Sequence, residues 1–238
     1  MNIALIGYGK MGKAIEKAAL KRGHQISLII DLVNKEDLNA VNLRNVDVAI
    51  EFTTPHTAYE NVSFCLHHQT PVVCGSTGWL NHLEEAKNIA NATNTGLIVA
   101  SNFSIGVNLF FELNKKLAYL MHNHPEYGVE MTEIHHTAKK DAPSGTAISL
   151  AQQILENHPL KKKWVNNLSE NPEELSILSE RVDPAPGTHI VRYKSAIDEI
   201  EITHTAHNRE GFAEGAVLAA EFLKGKVGFY GMKEVLGL

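Results

Sequence analysis

The chain has little of what marks secreted, disulfide-rich or membrane proteins. Its 238 residues include only two cysteines, Cys65 and Cys74, at a spacing that fits no metal or redox motif. We therefore expect two buried thiols in a reducing compartment. No apolar run is long enough to cross a bilayer, and the first residues lack the basic region, apolar core and cleavage site of a signal peptide. The sequence predicts a cytoplasmic protein with no membrane partner.

An excess of basic charge is also missing. The net charge is -5, from 22 Lys and Arg against 27 Asp and Glu. Such a chain has no general attraction for nucleic acid or anionic lipid, so any basic site must be local. The hydrophobic content of 44% is enough to bury the core of one large domain or of two modest ones.

Short apolar runs alternate with amphipathic stretches through the first hundred residues, which is typical of βαβ units around a parallel sheet. Strands are predicted at 2–6, 25–30, 46–52, 72–75 and 97–100. Helices are predicted at 13–21, 82–92 and 104–122, the last with Leu109, Leu113, Leu117 and Leu120 along one face.

The following stretch has a different pattern. Residues 127–136 and 197–206 alternate with period two, as in strands with one buried face. Between them, 157–186 is predicted to be a polar connection with one short helix at 172–178. The Ala-rich helix 211–224 is expected to return to the first domain. We therefore predict a Rossmann-type doubly wound domain at 1–102 and 208–238, and a central α+β domain at 103–207.

A glycine-rich turn follows the first predicted strand. Gly7, Gly9 and Gly12 lie in the sequence Gly-Tyr-Gly-Lys-Met-Gly, and Asp31 ends the second strand. This spacing is typical of a dinucleotide-binding turn, with the carboxylate placed for the adenine ribose hydroxyls. The alternative is a set of ordinary turn glycines. An acid at position 31 favours NAD over NADP, although Lys10 or Lys35 could neutralise a 2′-phosphate.

Three further loops follow predicted strands, where open α/β sheets bind ligands. They contain Phe52 and Thr53, then Gly75, Ser76 and Thr77, then Ala100, Ser101, Asn102 and Phe103. Their small hydroxylated residues suit a ribose and a nicotinamide, and Asn102 could bond the nicotinamide amide. Ordinary turns and helix caps are the alternative.

The segment from Glu133 to Thr146 combines the features of an anion site. His135 and His136 end a predicted strand and fall on opposite faces, with His135 on the face of Met131 and Glu133. Lys139 and the amides of residues 144–146, at a helix start, could bind a carboxylate. A capped helix with solvated lysines is the alternative. Because bound carboxylates favour a charged imidazole, a histidine here suits a general acid.

Zinc is the other use of clustered histidines. His204 and His207 are available in the sequence, but no HxxxH motif or cysteine pair accompanies them. We therefore expect no metal.

Several stretches resemble the dihydrodipicolinate reductases (4-hydroxy-tetrahydrodipicolinate reductases) of the diaminopimelate route to lysine. The resemblance runs nearly end to end, and the pattern HHxxKxDAPSGTA is its most specific part. The stretches are the glycine turn, 51–53, 75–78, 102–108, 133–146, 186–188 and 201–204. The resemblance implies a Rossmann domain built from both chain ends, a central domain that assembles a homotetramer, and hydride transfer from NADH or NADPH to a cyclic unsaturated dicarboxylate.

The resemblance also implies roles for individual residues. His135 is similar to the proton donor, with Lys139 as its partner in protonation or substrate binding, and the other substrate contacts would be His136, Ser144, Gly145 and Thr146. The coenzyme contacts would be Gly7, Tyr8, Gly9, Lys10, Met11, Gly12, Asp31, Phe52, Thr53, Gly75, Ser76, Thr77, Ala100, Ser101, Asn102 and Phe103.

Two departures from the family pattern leave alternatives open. The turn is one residue shorter than the common form and has Lys10 where arginine is usual, so NADH and NADPH both remain candidates. The stretch between Gly187 and Glu201 is short and is expected to lack a strand pair, so a homodimer remains beside the homotetramer.

Two other functions fit part of the pattern. An aspartate-type dehydrogenase would also use a small Rossmann domain, but on a linear amino acid. A regulatory protein that senses the dinucleotide without chemistry would leave the segment from His135 to Thr146 unexplained.

Overall fold

Two sheets organise the chain, one in each of the units into which it divides. The computed structural model describes all residues from Met1 to Leu238. The first unit comprises Met1–Ile105 and Arg209–Leu238, and the second comprises Gly106–Asn208. None of the helices combines the length and hydrophobicity that a bilayer crossing requires.

The sheet of the first unit is parallel throughout. Its strands are β1 (Asn2–Ile6), β2 (Gln25–Ile30), β3 (Val48–Glu51), β4 (Val72–Cys74), β5 (Gly96–Val99) and β11 (Gly228–Tyr230). Their order across the sheet is β11-β5-β4-β3-β1-β2. Every neighbouring pair is parallel, so crossover connections carry the chain between strands.

Helices cover both faces of this sheet. They are α1 (Lys10–Lys21), α2 (Ala40–Leu43), α3 (Ala58–His67), α4 (Leu83–Ala92), α7 (Glu210–Leu223) and α8 (Met232–Leu236), with 3₁₀ turns at Lys35–Asp37 and Leu80–His82. Alternate residues of β1 enter two separate cores. Ile3 packs in the core that contains residues of α1 and α7, and Ala4 in the core with residues of α3 and α4. Burial on both faces explains why the strands are apolar throughout.

The second unit has a mixed sheet with two helices. Its strands are β6 (Gly128–His135), β7 (Lys163–Val165), β8 (Glu174–Arg181), β9 (Gly187–Lys194) and β10 (Glu199–Ala206), and its helices are α5 (Ile105–Met121) and α6 (Gly145–Asn157). The order is β10-β9-β6-β8-β7. Strand β6 is parallel to β8 and antiparallel to β9. The predicted fold class, a doubly wound parallel sheet with a separate α+β unit, is confirmed.

Two local predictions for this unit need correction. The short helix predicted at 172–178 is wrong, because these residues lead into and form β8, which pairs with β6 and β7. The leucine row of α5 is not its buried face: Leu109, Leu113 and Leu120 are about half exposed. Instead, the face that includes Phe110 and Ala118 packs in the core with α6 and the sheet.

Strand β6 places the two adjacent histidines in different surroundings. Its burial alternates as predicted, with Met131, Glu133 and His135 buried on one face. His136 follows the end of the strand and is half-buried. The buried row begins with apolar residues and ends with a carboxylate and an imidazole, so the polar end of the strand needs partners.

Candidate active site

A cavity of about 410 Å³ lies in the first unit, where β1, β2 and β3 end. The carboxyl ends of parallel strands are the usual ligand-binding edge of an open α/β sheet. Six of the predicted coenzyme contacts line the cavity: Gly7, Tyr8, Gly9, Asp31, Phe52 and Thr53. The wall also includes residues not predicted as contacts, among them Leu32, Leu38, Thr57, Glu60 and Asn61. The last three lie at the start of α3, directly after the Thr53 loop, and that position is the signal that could have found them.

The glycine turn is built by close backbone contacts. Gly7 has a φ of 95°, and a Cβ added to it would lie 2.2 Å from the carbonyl oxygen of Phe52. A Cβ on Gly12 would lie 2.2 Å from the carbonyl oxygen of Gly7. Any side chain at either position would therefore push α1 and the β3 loop away from β1. These two glycines shape the turn from inside the protein.

Gly9 differs because it faces open space. A Cβ on it would meet no protein atom within 4 Å. Gly9 is also the N-cap of α1, where no side chain caps the helix and no acidic residue lies in the first turn. An uncapped helix start offers amide donors and the positive end of the helix dipole to an anion. The geometry therefore fits the pyrophosphate of a dinucleotide.

Charges of both signs line this cavity. Asp31 follows β2, is exposed, and accepts a hydrogen bond at 2.8 Å on Oδ1 from the amide of Leu32. Asn34 fixes the same turn by accepting a 2.8 Å bond from the Asp31 amide. Lys35 lines the cavity as well. The cavity wall therefore contains both Asp31, which would repel a 2′-phosphate, and Lys35, which could neutralise it.

The loops after β3 and β4 are tied to each other. The amide of Thr53 donates to the Ser76 hydroxyl at 2.8 Å and to the Glu51 carboxylate at 3.0 Å. Glu51 is fully buried and also accepts bonds from the Thr53 hydroxyl and, at 3.0 Å, from Sγ of Cys74. Ser76 is not part of the cavity wall, but this hydrogen bond fixes the position of Thr53, which is.

The other predicted coenzyme contacts are not part of the wall of this cavity. Phe103 is 2% exposed and packs in the core, with its ring 5.7 Å from that of Phe52. The remaining residues of this group are Lys10, Met11, Gly12, Gly75, Ser76, Thr77, Ala100, Ser101 and Asn102. They stay predictions, as do the contacts that line the cavity.

In the second unit, the predicted substrate segment begins with a buried imidazole. His135 is 8% exposed at the end of β6. Its Nδ1 is buried, makes no hydrogen bond of good geometry, and lies 3.3 Å from Oε2 of Glu133. A Cβ added to Gly187 would lie 3.0 Å from Nε2 on the other side of the ring. The ring thus has a carboxylate at one nitrogen and a position without a side chain at the other.

The helix start that follows is partly occupied by the protein itself. The amide of Ser144 donates to both carboxylate oxygens of Glu133, at 3.1 Å each. Its hydroxyl caps α6 by accepting from the amide of Ala147 at 3.2 Å. Ser144 is 3% exposed, whereas Gly145 is exposed and a Cβ on it would meet nothing within 4 Å. Space for a ligand is therefore open beside Gly145, whereas the amide of Ser144 is already engaged with Glu133.

Lys139 also has a partner within the loop. Its ammonium lies 2.9 and 2.8 Å from the two carboxylate oxygens of Asp141. The contact with Lys139 lowers the pKa of Asp141. The lysine side chain is 21% exposed, and that of Asp141 is 62% exposed. A substrate carboxylate that binds Lys139 must share it with Asp141 or replace this ion pair.

Two neighbours of His135 come from strands that the sequence did not predict. Arg181, the last residue of β8, places Nη2 3.2 Å from Oε1 of Glu133. His189 on β9 places Nε2 3.1 Å from the hydroxyl of Ser144, and its ring lies edge-on to that of His135 at 5.2 Å. Burial, with repulsion from His135, lowers the pKa of His189 to about 4. His189 is therefore neutral at pH 7.

Ligand-type atoms of Glu133, His135 and His189 lie within 4.8 Å of one another. Glu133, however, already accepts bonds from the Ser144 amide and pairs with the Arg181 guanidinium. A buried carboxylate with these partners needs no further cation. The guanidinium would also repel a metal ion at this point.

Comparisons with known proteins agree over both units. The family models described as dihydrodipicolinate reductase, N-terminus and C-terminus, match residues 1–103 and 106–236. A 4-hydroxy-tetrahydrodipicolinate reductase of Christiangramia forsetii is 50% identical over 99% of this chain and 98% of its own length. The enzyme of the same name from Neisseria gonorrhoeae is 33% identical over 94% of this chain and 84% of its own length.

Solved structures show the same relationship. Dipicolinate-bound dihydrodipicolinate reductase from Paenisporosarcina sp. TG-14 has a TM-score of 0.80 and 26% identity, covering 98% of each chain. Aspartate dehydrogenase from Thermotoga maritima has a TM-score of 0.51 and 14% identity, which is a likeness of fold alone. With both family models matched in order and a relative that shares half of its residues, this chain belongs to the dihydrodipicolinate reductase family.

Proposed function

We infer that the protein is a 4-hydroxy-tetrahydrodipicolinate reductase, an oxidoreductase of lysine biosynthesis through diaminopimelate. The match to the Christiangramia forsetii enzyme at 50% identity over nearly the full length of both chains carries this conclusion. Two features of the structure support it. The first unit has a cavity of the kind that binds dinucleotides, and the second has a cluster of residues suited to acid catalysis and anion binding.

The overall reaction requires one hydride and one proton. Loss of water from the hydroxylated ring gives dihydrodipicolinate, whose carbon–carbon double bond is conjugated to the imine. A nicotinamide coenzyme supplies the hydride to one carbon of that bond. The neighbouring carbon, next to the imine, takes up a proton, and the product is tetrahydrodipicolinate. The protein must therefore bind two carboxylates and place an acid beside one ring carbon.

We propose that His135 is this acid. Its ring is buried and held beside the Glu133 carboxylate, and its Nε2 faces Gly187, which has no side chain. Lys139 and the start of α6, where Gly145 is exposed and Thr146 is half-buried, would bind a substrate carboxylate, and His136 would contribute a further contact. Ser144 then contributes through its cap and its bond to Glu133, and not through a free amide.

For the coenzyme, Gly7 to Gly9 and the start of α1 would hold the pyrophosphate, and Asp31 the adenine ribose. We propose that NADH is preferred to NADPH at equal concentration, because the Asp31 carboxylate in the cavity wall repels a 2′-phosphate. Lys35 in the same wall moderates the preference, so NADPH is also used.

We further propose that the residues of the first unit form the dinucleotide-binding domain and those of the second the substrate-binding and oligomerisation domain of a cytoplasmic homotetramer. The second unit has apolar side chains to bury, since Leu109, Leu113 and Leu120 are about half exposed in the single chain. Light scattering coupled to size exclusion separates the tetramer from the alternative dimer.

A direct assay tests the function. Purified protein is mixed with NADH or NADPH and the cyclic substrate, and coenzyme oxidation is followed by absorbance. We expect one coenzyme oxidised per tetrahydrodipicolinate formed, with competitive inhibition by pyridine-2,6-dicarboxylate. Aspartate with the oxidised coenzyme should give no turnover. Coenzyme binding without oxidation would instead support a regulatory protein, and turnover of aspartate would support an amino-acid dehydrogenase.

A further inference from the structure

Glu133 is a charged residue placed in the core of the second unit. It is fully buried next to His135 at the polar end of the inward row of β6, after Val129 and Met131, which pack in the core with α5 and α6. Burial alone would raise its pKa, but contacts with His135 and Ser144 outweigh burial and hold the pKa well below the ordinary value. Glu133 is therefore an anion at neutral pH. A buried anion of this kind is costly unless every neighbour favours it.

The two oxygens of the Glu133 carboxylate contact different side chains. Oε1 faces Arg181, whose Nη2 lies 3.2 Å away, and both oxygens accept from the Ser144 amide. Oε2 is the oxygen that lies 3.3 Å from Nδ1 of His135. One side of the carboxylate is thus fixed by a guanidinium and a helix start, and the other faces the imidazole. A carboxylate held in this way has little freedom to leave the ring.

Nδ1 of His135 has no hydrogen-bond partner other than the nearby Glu133 carboxylate. That nitrogen is buried without a hydrogen bond of good geometry, so the carboxylate is the partner that its proton can reach by a small rotation. With the proton on Nδ1 fixed by a carboxylate, proton exchange takes place at Nε2. Nε2 faces Gly187, where a side chain would come within 3.0 Å of it.

His189 cannot replace either member of the pair. Its pKa of about 4 leaves it neutral, and its Nε2 is engaged with the Ser144 hydroxyl at 3.1 Å, at 3.9 Å from Oε2 of Glu133. Other titratable or charged groups surround the two histidines. They are Arg181 on β8, His204 on β10 and Lys139 in the loop after β6. Asp141, which is paired with Lys139, is a second anion nearby, but Glu133 is the carboxylate that lies within 4.0 Å of a ring nitrogen of both histidines.

We propose that Glu133 is a positioning residue for His135, one that fixes the imidazole with its proton on Nδ1 and favours the charged ring, while Arg181 holds the carboxylate in place. The inference rests on the proposed function, since it assigns a role in the protonation step. Glu133 is fully buried and has no surface to offer a ligand. Its effect reaches the reaction only through the ring of His135.

The test uses a nearly isosteric change. Glu133→Gln keeps an oxygen that can accept from Ser144 but removes the negative charge. We expect kcat to fall roughly 10- to 100-fold, with KM for both substrates changed by less than about threefold. An imidazolium that loses its neighbouring anion gives up its proton more readily, so the alkaline limb of the kcat profile should move down by about one pH unit. Glu130→Gln, on the other face of β6, is the matched control and should match the wild type.

Arg181→Gln gives a second, oppositely signed result. It removes a positive charge near the pair and keeps a donor for Glu133, so the alkaline limb should move to higher pH. Unchanged kcat and pH limb in Glu133→Gln would overturn the inference, and so would a loss of kcat with an unmoved limb in folded protein. If Glu133→Gln does not fold, an unmoved limb in Arg181→Gln overturns it.

Failure of this inference can be told from failure of the proposed function. A wild-type protein that does not oxidise the coenzyme with the cyclic substrate fails the function itself. A wild type that turns over, together with an inactive His135→Gln and a fully active Glu133→Gln, leaves the function intact and removes Glu133 from it.

Discussion

His135 and Lys139 stand four residues apart in the chain, yet their surroundings differ. The histidine is almost fully buried beside a carboxylate that is itself fixed on its far side. The lysine lies in a loop and is paired with an exposed aspartate. A buried, oriented ring suits proton transfer, whereas a partly exposed ammonium suits exchange of one carboxylate for another. The two residues are therefore expected to affect different kinetic constants.

Replacing His135 by Gln removes the proposed proton donor and keeps a side chain of similar reach. We expect kcat to fall roughly 10²- to 10⁴-fold, because general acid catalysis contributes by this order. Coenzyme affinity and the thermal unfolding midpoint should stay close to those of the wild type. Steady-state kinetics and fluorescence titration with NADH measure these quantities, and near-normal turnover would remove His135 from the mechanism.

Replacing Lys139 by Met should act on substrate binding. The variant keeps the apolar stem but loses the cation, so we expect KM for the dicarboxylate to rise roughly tenfold or more. Lys140→Met is the matched control, since Lys140 is exposed and adjacent in the chain. Initial rates over a range of substrate concentrations distinguish the two variants. Equal KM values in both would show that Lys139 does not bind the substrate.

Asp31 and Lys35 offer a test of coenzyme choice. Asp31→Ser removes the charge proposed to repel a 2′-phosphate and to bind the ribose, so kcat/KM should rise for NADPH and fall for NADH, each by roughly tenfold. Lys35→Ala should lower kcat/KM for NADPH and leave NADH nearly unchanged. Parallel assays with both coenzymes measure the ratio. A ratio that neither variant alters would place the 2′ position elsewhere.

The sequence was a good guide to these residues because their motifs are local. Gly7, Gly9 and Asp31 could be placed at strand ends from the order of strand, turn and helix, and the structure puts all three at one cavity. The bond between Ser144 and Glu133 could not be foreseen, because it joins residues 11 positions apart through the bend that ends β6. A free helix start and an occupied one have the same sequence pattern.

Among the elements, β8 and β9 show where local patterns fail. Residues 172–178 contain glutamates and leucines that favour a helix, but pairing with β6 on one side and β7 on the other decides for a strand. In β9, His189, Val191 and Tyr193 alternate on the buried face, which is a strand signal that was available in the sequence. Arg181 and His189 come from these two strands, so their place beside Glu133 followed from the tertiary structure alone.

The buried His189 on β9 should make the free energy of unfolding depend on pH. His189 is neutral in the folded protein because its pKa is about 4, whereas the unfolded chain titrates near 6.5. As pH falls through this window the unfolded state binds the extra proton, so His189 should cost the folded state up to about 3 kcal/mol by pH 4. His189→Asn should therefore flatten the fall of the urea midpoint between pH 7 and pH 4.5. His207→Asn, an exposed change in the same unit, should keep the wild-type slope.

At the scale of the whole molecule, the chain returns to its first unit after completing the second. Helix α7 packs with α1 and the sheet in one core, although about a hundred residues of the second unit separate it from β5. The Ala-rich composition of α7 made this return predictable. The short elements β11 and α8 were not predicted, because a three-residue strand and a five-residue helix leave too few positions for a periodic signal.

Both cysteines lie inside that first unit. Cys65 and Cys74 are free thiols, and both are 0% exposed to solvent. Burial raises the pKa of Cys65 to about 12, and it raises the pKa of Cys74 as well. Native thiols of this kind do not react with maleimide dyes while the protein stays folded. A single cysteine introduced on the surface would then be the one labelling position. Fluorescence studies of turnover can thus begin from the natural sequence, without first removing its own sulfhydryl groups.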